Sequence, residues 1–182
     1  VIGVMSGTSL DGLDLVYATL SNDKNWSYTI HCAKTFEYDT NWYNKLKKSP
    51  DLNAKELKQI DIDFGTLLAK KINAFLINNH INAKDVNLIS SHGHTVFHQP
   101  EKRITLQIGH GQTIANTTQI KTVNNFRTLD VKLGGQGAPL VPIGDKLLFS
   151  KFNYCLNIGG IANLTCKREN SLVAGDLTFA NM

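Results

Sequence analysis

The feature that most constrains this chain is a unit that occurs twice, once near each end. It consists of an apolar strand, a glycine-bearing turn, a second strand, a polar turn and a third strand. At the start, the apolar run 1–5 breaks at Ser6-Gly7-Thr8-Ser9, and strands over 13–20 and 27–36 follow, separated by the polar loop 21–25. Near the other end, the run 154–158 meets Gly159-Gly160, followed by strands over 161–166 and 172–174. Short apolar runs bounded by glycine and polar turn residues are hairpin signals. Two copies of one such unit predict two similar domains, residues 1–150 and residues 151–182, with the second represented by its opening strands only.

Between the copies, helices and strands alternate. Residues 41–48 read as a short helix ended by Ser49-Pro50. Over 53–79, Leu57, Ile60, Phe64, Leu67, Leu68, Ile72, Phe75 and Leu76 recur at three- and four-residue spacing, which puts them on one helical face. A strand over 85–90 delivers Ser91-His92-Gly93-His94 at its end. A strand over 104–108, a helix over 112–118 and a strand over 120–123 follow, and a glycine-rich stretch, 134–139, leads into a helix reaching about residue 150. Consecutive strands followed by helix–strand alternation predict an α/β fold whose sheet has an antiparallel edge.

Composition excludes several function classes. The 19 Lys and Arg among 182 residues give a net charge of +4 but form no stripe interleaved with aromatics, so a nucleic-acid partner is not expected. Cys32, Cys155 and Cys166 are an odd count without CxxC spacing, which points to a reducing compartment. No apolar run reaches the roughly 18 residues of a membrane span, and the first one breaks too early for a signal peptide. A cytoplasmic protein with no membrane partner is the expectation.

Chemistry concentrates in the turns. In Gly7-Thr8-Ser9-Leu10-Asp11-Gly12, small residues allow backbone N–H groups to approach an anion, and Thr8 and Ser9 add hydroxyls. Asp11 and Asp14 add carboxylates suited to a metal-bound water or a substrate hydroxyl. The Gly-Lys-Ser/Thr of a P-loop is missing and no helix follows. Taken alone, the segment reads equally well as a plain hairpin. The second turn, Asn157-Ile158-Gly159-Gly160-Ile161-Ala162-Asn163, turns the pair into a candidate nucleotide clamp. His92, His94 and His98 have too few companion ligands for a zinc site, so no metal-ligating residues are assigned.

Six ordered motifs carry a family resemblance. They are Val4 through Gly12, Ser91 through His98, Thr105-Leu106-Gln107-Ile108-Gly109, Asn125-Phe126-Arg127 with Asp130, Gly134 through Pro142, and Asn157 through Thr165. Together they resemble the anhydro-N-acetylmuramic acid kinases. The resemblance implies two ribonuclease-H-like domains of the actin and hexokinase type around a cleft. It also implies ATP with Mg²⁺, and a sugar substrate, 1,6-anhydro-N-acetylmuramic acid. Water opens the anhydro bond and the freed 6-hydroxyl is phosphorylated, as part of cell-wall sugar recycling.

Carried onto this chain, the resemblance assigns nucleotide binding to Gly7, Thr8, Ser9, Leu10, Asp11, Gly12, Leu13 and Asp14, and to Gly159, Gly160 and Asn163. It assigns sugar binding to His92, Arg127, Gly135 and Gln136, and the catalytic base to Asp130. A carboxylate suits proton abstraction from an attacking water, and Arg127 would keep Asp130 ionised or hold a substrate oxyanion. Pro139 is expected in the first turn of the helix after the glycine-rich loop. Two departures stand out. His94 occupies a position where the family has Gln, and Asp176-Leu177-Thr178-Phe179-Ala180-Asn181 replaces Asp-Thr-Gly-Pro-Gly-Asn, keeping only the Asp and the Asn. The family continues through a complete second domain with the adenine pocket, so the 182 residues alone are expected to be inactive or nearly so. A same-fold kinase for another sugar and a non-catalytic binding module are the alternatives, and a homodimer stays open.

Overall fold

The computed structural model describes residues 1–168 and 171–180. Its centre is a five-stranded mixed sheet in the order β3-β2-β1-β4-β7. The strands are β1 (Ile2–Ser6), β2 (Leu13–Asn22), β3 (Trp26–Phe36), β4 (Ile89–Ser91) and β7 (Thr122–Asn124). The first three form the expected antiparallel meander, with Ile2 opposite Tyr17 and Ser6 opposite Leu13. β4 then joins β1 in parallel, Ile2 beside Ile89, and β7 joins β4 the same way. A parallel neighbour requires a crossover. Helices α1 (Thr40–Lys47) and α2 (Ala54–Asn78) lie between β3 and β4.

α2 begins where the sequence supplies a capping box. The Asn53 side chain accepts the Lys55 and Glu56 amides, while the Glu56 carboxylate accepts the Asn53 amide; a cap of this kind contributes about 1 kcal/mol. The apolar stripe of α2 then covers one face of the sheet. Ile60, Phe64, Leu68, Ile72, Phe75 and Leu76 are buried with Ile2, Val4, Leu13, Leu15 and Ile89 in one core cluster. The mixed sheet flanked by helices is the ribonuclease-H-like arrangement expected.

Several elements differ from the sequence reading. β4 is limited to Ile89–Ser91, preceded by a 3-10 turn at Ala83–Asp85, because Gly93 (φ +72°) turns the chain away directly afterwards. β5 (His94–Gln99) is an extra strand, which pairs with β6 (Ile104–Ile108) as a separate hairpin. His92 and His94 therefore lie on either side of the turn at Gly93. After α3 (Gly111–Thr118) and β7 comes a five-residue helix, α4 (Thr128–Lys132), too short to show a periodicity. α5 spans Val141–Leu148 with Pro142 in its first turn, so Pro139 lies outside the helix, in the loop.

The second meander comprises β8 (Tyr154–Ile158), β9 (Ile161–Arg168) and β10 (Ser171–Phe179), in a separate sheet ordered β10-β9-β8. β10 is longer than the stretch 172–174, and its register shifts between Asp176 and Thr178. α5 lies against β3 on one side and β9 and β10 on the other, and beyond its end Phe149 meets the Tyr28 ring edge-on at 5.7 Å. Asn181 lies outside the described residues. Among those described, no helix is long and apolar enough to cross a membrane.

Candidate active site

The first turn, between β1 and β2, is held open by its own geometry. The Leu10 amide bonds the Gly7 carbonyl, and the Ser9 hydroxyl donates to Asp11 at 2.8 Å. Neither the backbone nor any described side chain accepts the amides of Thr8, Ser9 or Asp11. Unpaired successive N–H groups in a tight turn are the donor set an anion needs, so the residues fit a nucleotide phosphate. Leu10 has φ +57°, a left-handed conformation that costs a non-glycine residue about 1 kcal/mol or more and tends to persist at functional turns. Gly12 has no room for a side chain, since a Cβ would come within 2.9 Å of the Phe36 carbonyl. Leu13 is buried in the core, while Asp11 and Asp14 are exposed at the mouth of the turn.

The floor of this turn involves two residues outside the predicted site. The Tyr38 hydroxyl donates to the buried Ser6 Oγ at 2.7 Å. Burial above all, with the Asp11 and Asp14 charges adding to it against the Ser6 bond, pushes the Tyr38 phenol up to about 12. His94 is 5% exposed, with Nδ1 unpartnered among the described residues. Burial first, then the neighbouring His92, hold His94 down to about 4, although the Gly7 backbone favours its charged form. Both rings lean on Phe64 of α2, at 6.2 Å and 6.4 Å between centroids.

A second cluster forms at the ends of β4 and β7. Arg127, just before α4, directs Nε and Nη2 at the His92 Nε2, at 3.2 and 2.9 Å, and Nη1 at the Gly137 carbonyl at 2.7 Å. The tautomer of His92 follows. Its Nδ1 lies 2.9 Å from the Gly93 carbonyl and must donate, while Arg127 only donates, so Nε2 carries the lone pair and the ring is neutral. Burial mainly, and then the Arg127 charge, lower the affinity of His92 for a proton, against the pull of the Gly93 carbonyl. Asp130 faces the glycine-rich loop from below. Its Oδ2 accepts the Gly137 amide at 2.6 Å and its carbonyl accepts the Gly135 amide at 2.8 Å. A Cβ on Gly135 would stand 2.2 Å from Oδ2, so a side chain at that position would displace the Asp130 carboxylate. Gln136 is exposed at the loop tip.

The structure thus brings His92, Arg127, Asp130 and Gly135 together, and the parallel pairing of β1 with β4 sets the turn containing Gly7 beside them. Gly159, Gly160 and Asn163 lie on the second sheet, and no hydrogen bond among the described residues joins them to the first turn. There the register aligns Asn157, Asn163 and Asp176 across all three strands. The exposed Asp176 carboxylate is close enough to Arg127 and to His98 to raise the proton affinity of both, against the dominant effect of their burial. Sequence reasoning named Asp176 only as a retained motif residue. The available signal was a single carboxylate within the otherwise uncharged run 171–179.

Comparison with known proteins decides the family. The family profile described as anhydro-N-acetylmuramic acid kinase matches residues 1–182. The chain belongs to the anhydro-N-acetylmuramic acid kinase family. A relative of that name from Francisella tularensis subsp. novicida is 37% identical over 182 residues, covering 93% of this chain and 48% of its own length. Another, from Mannheimia succiniciproducens, is 38% identical over 186 residues, covering 99% of this chain and 50% of its own length. The chain therefore spans about half the length of these curated members of the kinase family.

Proposed function

We propose that this chain supplies the first jaw, residues 1–150, and the opening strands of the second, residues 151–182, of a kinase for 1,6-anhydro-N-acetylmuramic acid. The reaction consumes ATP, opens the anhydro bond with water and phosphorylates the 6-hydroxyl, giving N-acetylmuramic acid 6-phosphate for cell-wall sugar recycling in the cytoplasm. The observation that carries this reading is the turn whose Thr8, Ser9 and Asp11 amides are unpaired among the described residues, set beside the His92–Arg127–Asp130 cluster.

In this reading the turn from Gly7 to Asp14 binds phosphate, and Gly159, Gly160 and Asn163 close on the nucleotide from the other sheet. Bound Mg²⁺ would neutralise charge on the transferring phosphoryl group. Asp11 and Asp14 would hold it, two carboxylates being the usual protein share of a Mg²⁺ site whose other ligands are phosphate and water. His92, Arg127, Gly135 and Gln136 line the sugar side, where the neutral His92 fixes the Arg127 guanidinium and leaves its charge to meet a substrate oxygen.

Asp130 is the first candidate for the base that takes the proton from water. Its Oδ2 already holds the Gly137 amide, so Oδ1 would have to do this work. Asp176 offers a second reading, favoured by its exposed carboxylate opposite Arg127 and His98. The test uses the full-length protein and water labelled with heavy oxygen. Label is expected on the anomeric hydroxyl of the product, and its absence would point to an ordinary hydroxyl kinase. Loss of turnover by about a hundredfold or more in Asp130→Asn but not Asp176→Asn selects Asp130, and the opposite result selects Asp176. Turnover of open sugars alone would indicate a kinase for another substrate.

A further inference from the structure

Asp61 lies on α2 and bonds to the far end of β6. Its Oδ1 accepts the Gly109 amide at 2.7 Å, across 48 positions, and its carbonyl accepts the His110 amide at 3.0 Å. One residue thus takes two consecutive amides. Gly65, one helical turn further on, permits the approach, since a Cβ there would stand 2.9 Å from both the nitrogen and the oxygen of the His110 backbone. Neither Asp nor Gly is favoured inside a helix. Both are explained by the strand end that they meet.

That strand end is the seat of the turn carrying His92. Gly93 is pressed so close to it that a Cβ would lie 2.4 Å from the Ile108 carbonyl oxygen, and a Cβ on Gly109 would lie 3.4 Å from the Gly93 Cα. His94 pairs with Ile108 in the same hairpin. The Gly93 carbonyl holds Nδ1 of His92, and the other ring nitrogen accepts from Arg127. β6 also lies against α4, which carries Asp130. Backbones packed this closely pass on a displacement instead of absorbing it.

We propose that Asp61 is a positioning residue of the His92–Arg127 cluster, its carboxylate latching Gly109 and thereby fixing the Gly93 turn that aims the His92 ring. A carboxylate accepting a backbone amide makes a charge-assisted bond, stronger than a neutral one. Its consequence for the substrate rests on the reading of His92 and Arg127 as the sugar side.

The experiment compares Asp61→Ala, which removes the acceptor, with Asp61→Asn, which keeps an acceptor oxygen, in the full-length protein. The first readout is independent of turnover. With nitrogen-15 histidine, the His92 ring resonances are expected to move in Asp61→Ala and to stay near their wild-type positions in Asp61→Asn. Unmoved resonances in Asp61→Ala, or the same displacement in both variants, overturn the proposal. The second readout uses 1,6-anhydro-N-acetylmuramic acid and ATP. Asp61→Ala is expected to raise the KM for the sugar about fivefold while that for ATP stays within about twofold, and Asp61→Asn to restore the sugar value. Resonances that move while the sugar KM does not would uphold the latch and count against the sugar-side reading instead. Should Asp61→Ala fail to fold, Asp61→Ser takes its place, its hydroxyl stopping one bond short of the Gly109 amide. Failure of both to fold would make Asp61 a residue of stability alone, which also overturns the proposal.

Discussion

The two meanders share one topology and differ in what covers them. β1, β2 and β3 lie under the 25-residue helix α2, and inward-facing Ile2, Leu13 and Leu15 are fully or almost fully buried. β8, β9 and β10 run in the same antiparallel order, yet Tyr154 is 69% exposed and Ile158 68%. α5 supports one side of that sheet, and the polar row Asn157–Asn163–Asp176 spans it. Within residues 1–182 the buried apolar core therefore lies chiefly in the first unit. The contribution of the second is to carry a turn and a carboxylate to the edge of the site. A three-stranded sheet needs a covered hydrophobic face to be stable by itself, and only the first meander has a large one here.

The sharpest way to break the comparison is chemical. If the second meander serves only as support, Asp176→Asn in the full-length protein leaves turnover nearly intact; if its carboxylate is the base, turnover falls about a hundredfold to ten-thousandfold. Stability comes next. Phe64→Ala is expected to cost about 3–5 kcal/mol in denaturant unfolding, because the cavity opens beneath the first turn. In the 182-residue chain, Leu156→Ala, on the exposed face of β8, should cost less than about 1 kcal/mol, since a side chain that stays in water loses little when shortened. Equal costs would show that the two sheets are covered alike.

Acid separates the regions as well. His94 is held neutral, with an affinity near 4 against an ordinary 6.5, so the unfolded chain binds the proton first. Stability is then fully present above about pH 6.5 and declines as pH falls toward 4, by up to about 3 kcal/mol. Urea unfolding at several pH values should show this limb in the wild type and a shallower one in His94→Gln. The smallest effect is expected at the helix start, where Asn53→Ala should cost about 1 kcal/mol by loss of the cap, measured by thermal unfolding.

Much of this was legible beforehand. The stripe from Leu57 to Leu76 announced α2 and its buried face. Glycine and polar turn residues announced both meanders. The boundaries that misled were short or non-periodic. β4 has three residues, α4 five, and Pro139 lay too near a helix that begins at Val141. No window of sequence distinguishes such pieces from loop, because one turn of helix or one pair of strand residues has no measurable period.

By itself the sequence determined the strand–turn–strand units, the long amphipathic helix and the ordered motifs that mark the family, all of which rest on spacing within a few residues. Only the tertiary structure decided that His92 meets Arg127 across 35 positions, that Asp130 clasps Gly137, and that α2 covers the first meander. Those outcomes depend on the parallel pairing of β4 with β1 and β7. That pairing brings distant chain ends to one edge of the sheet, and long-range burial, not local preference, selects it.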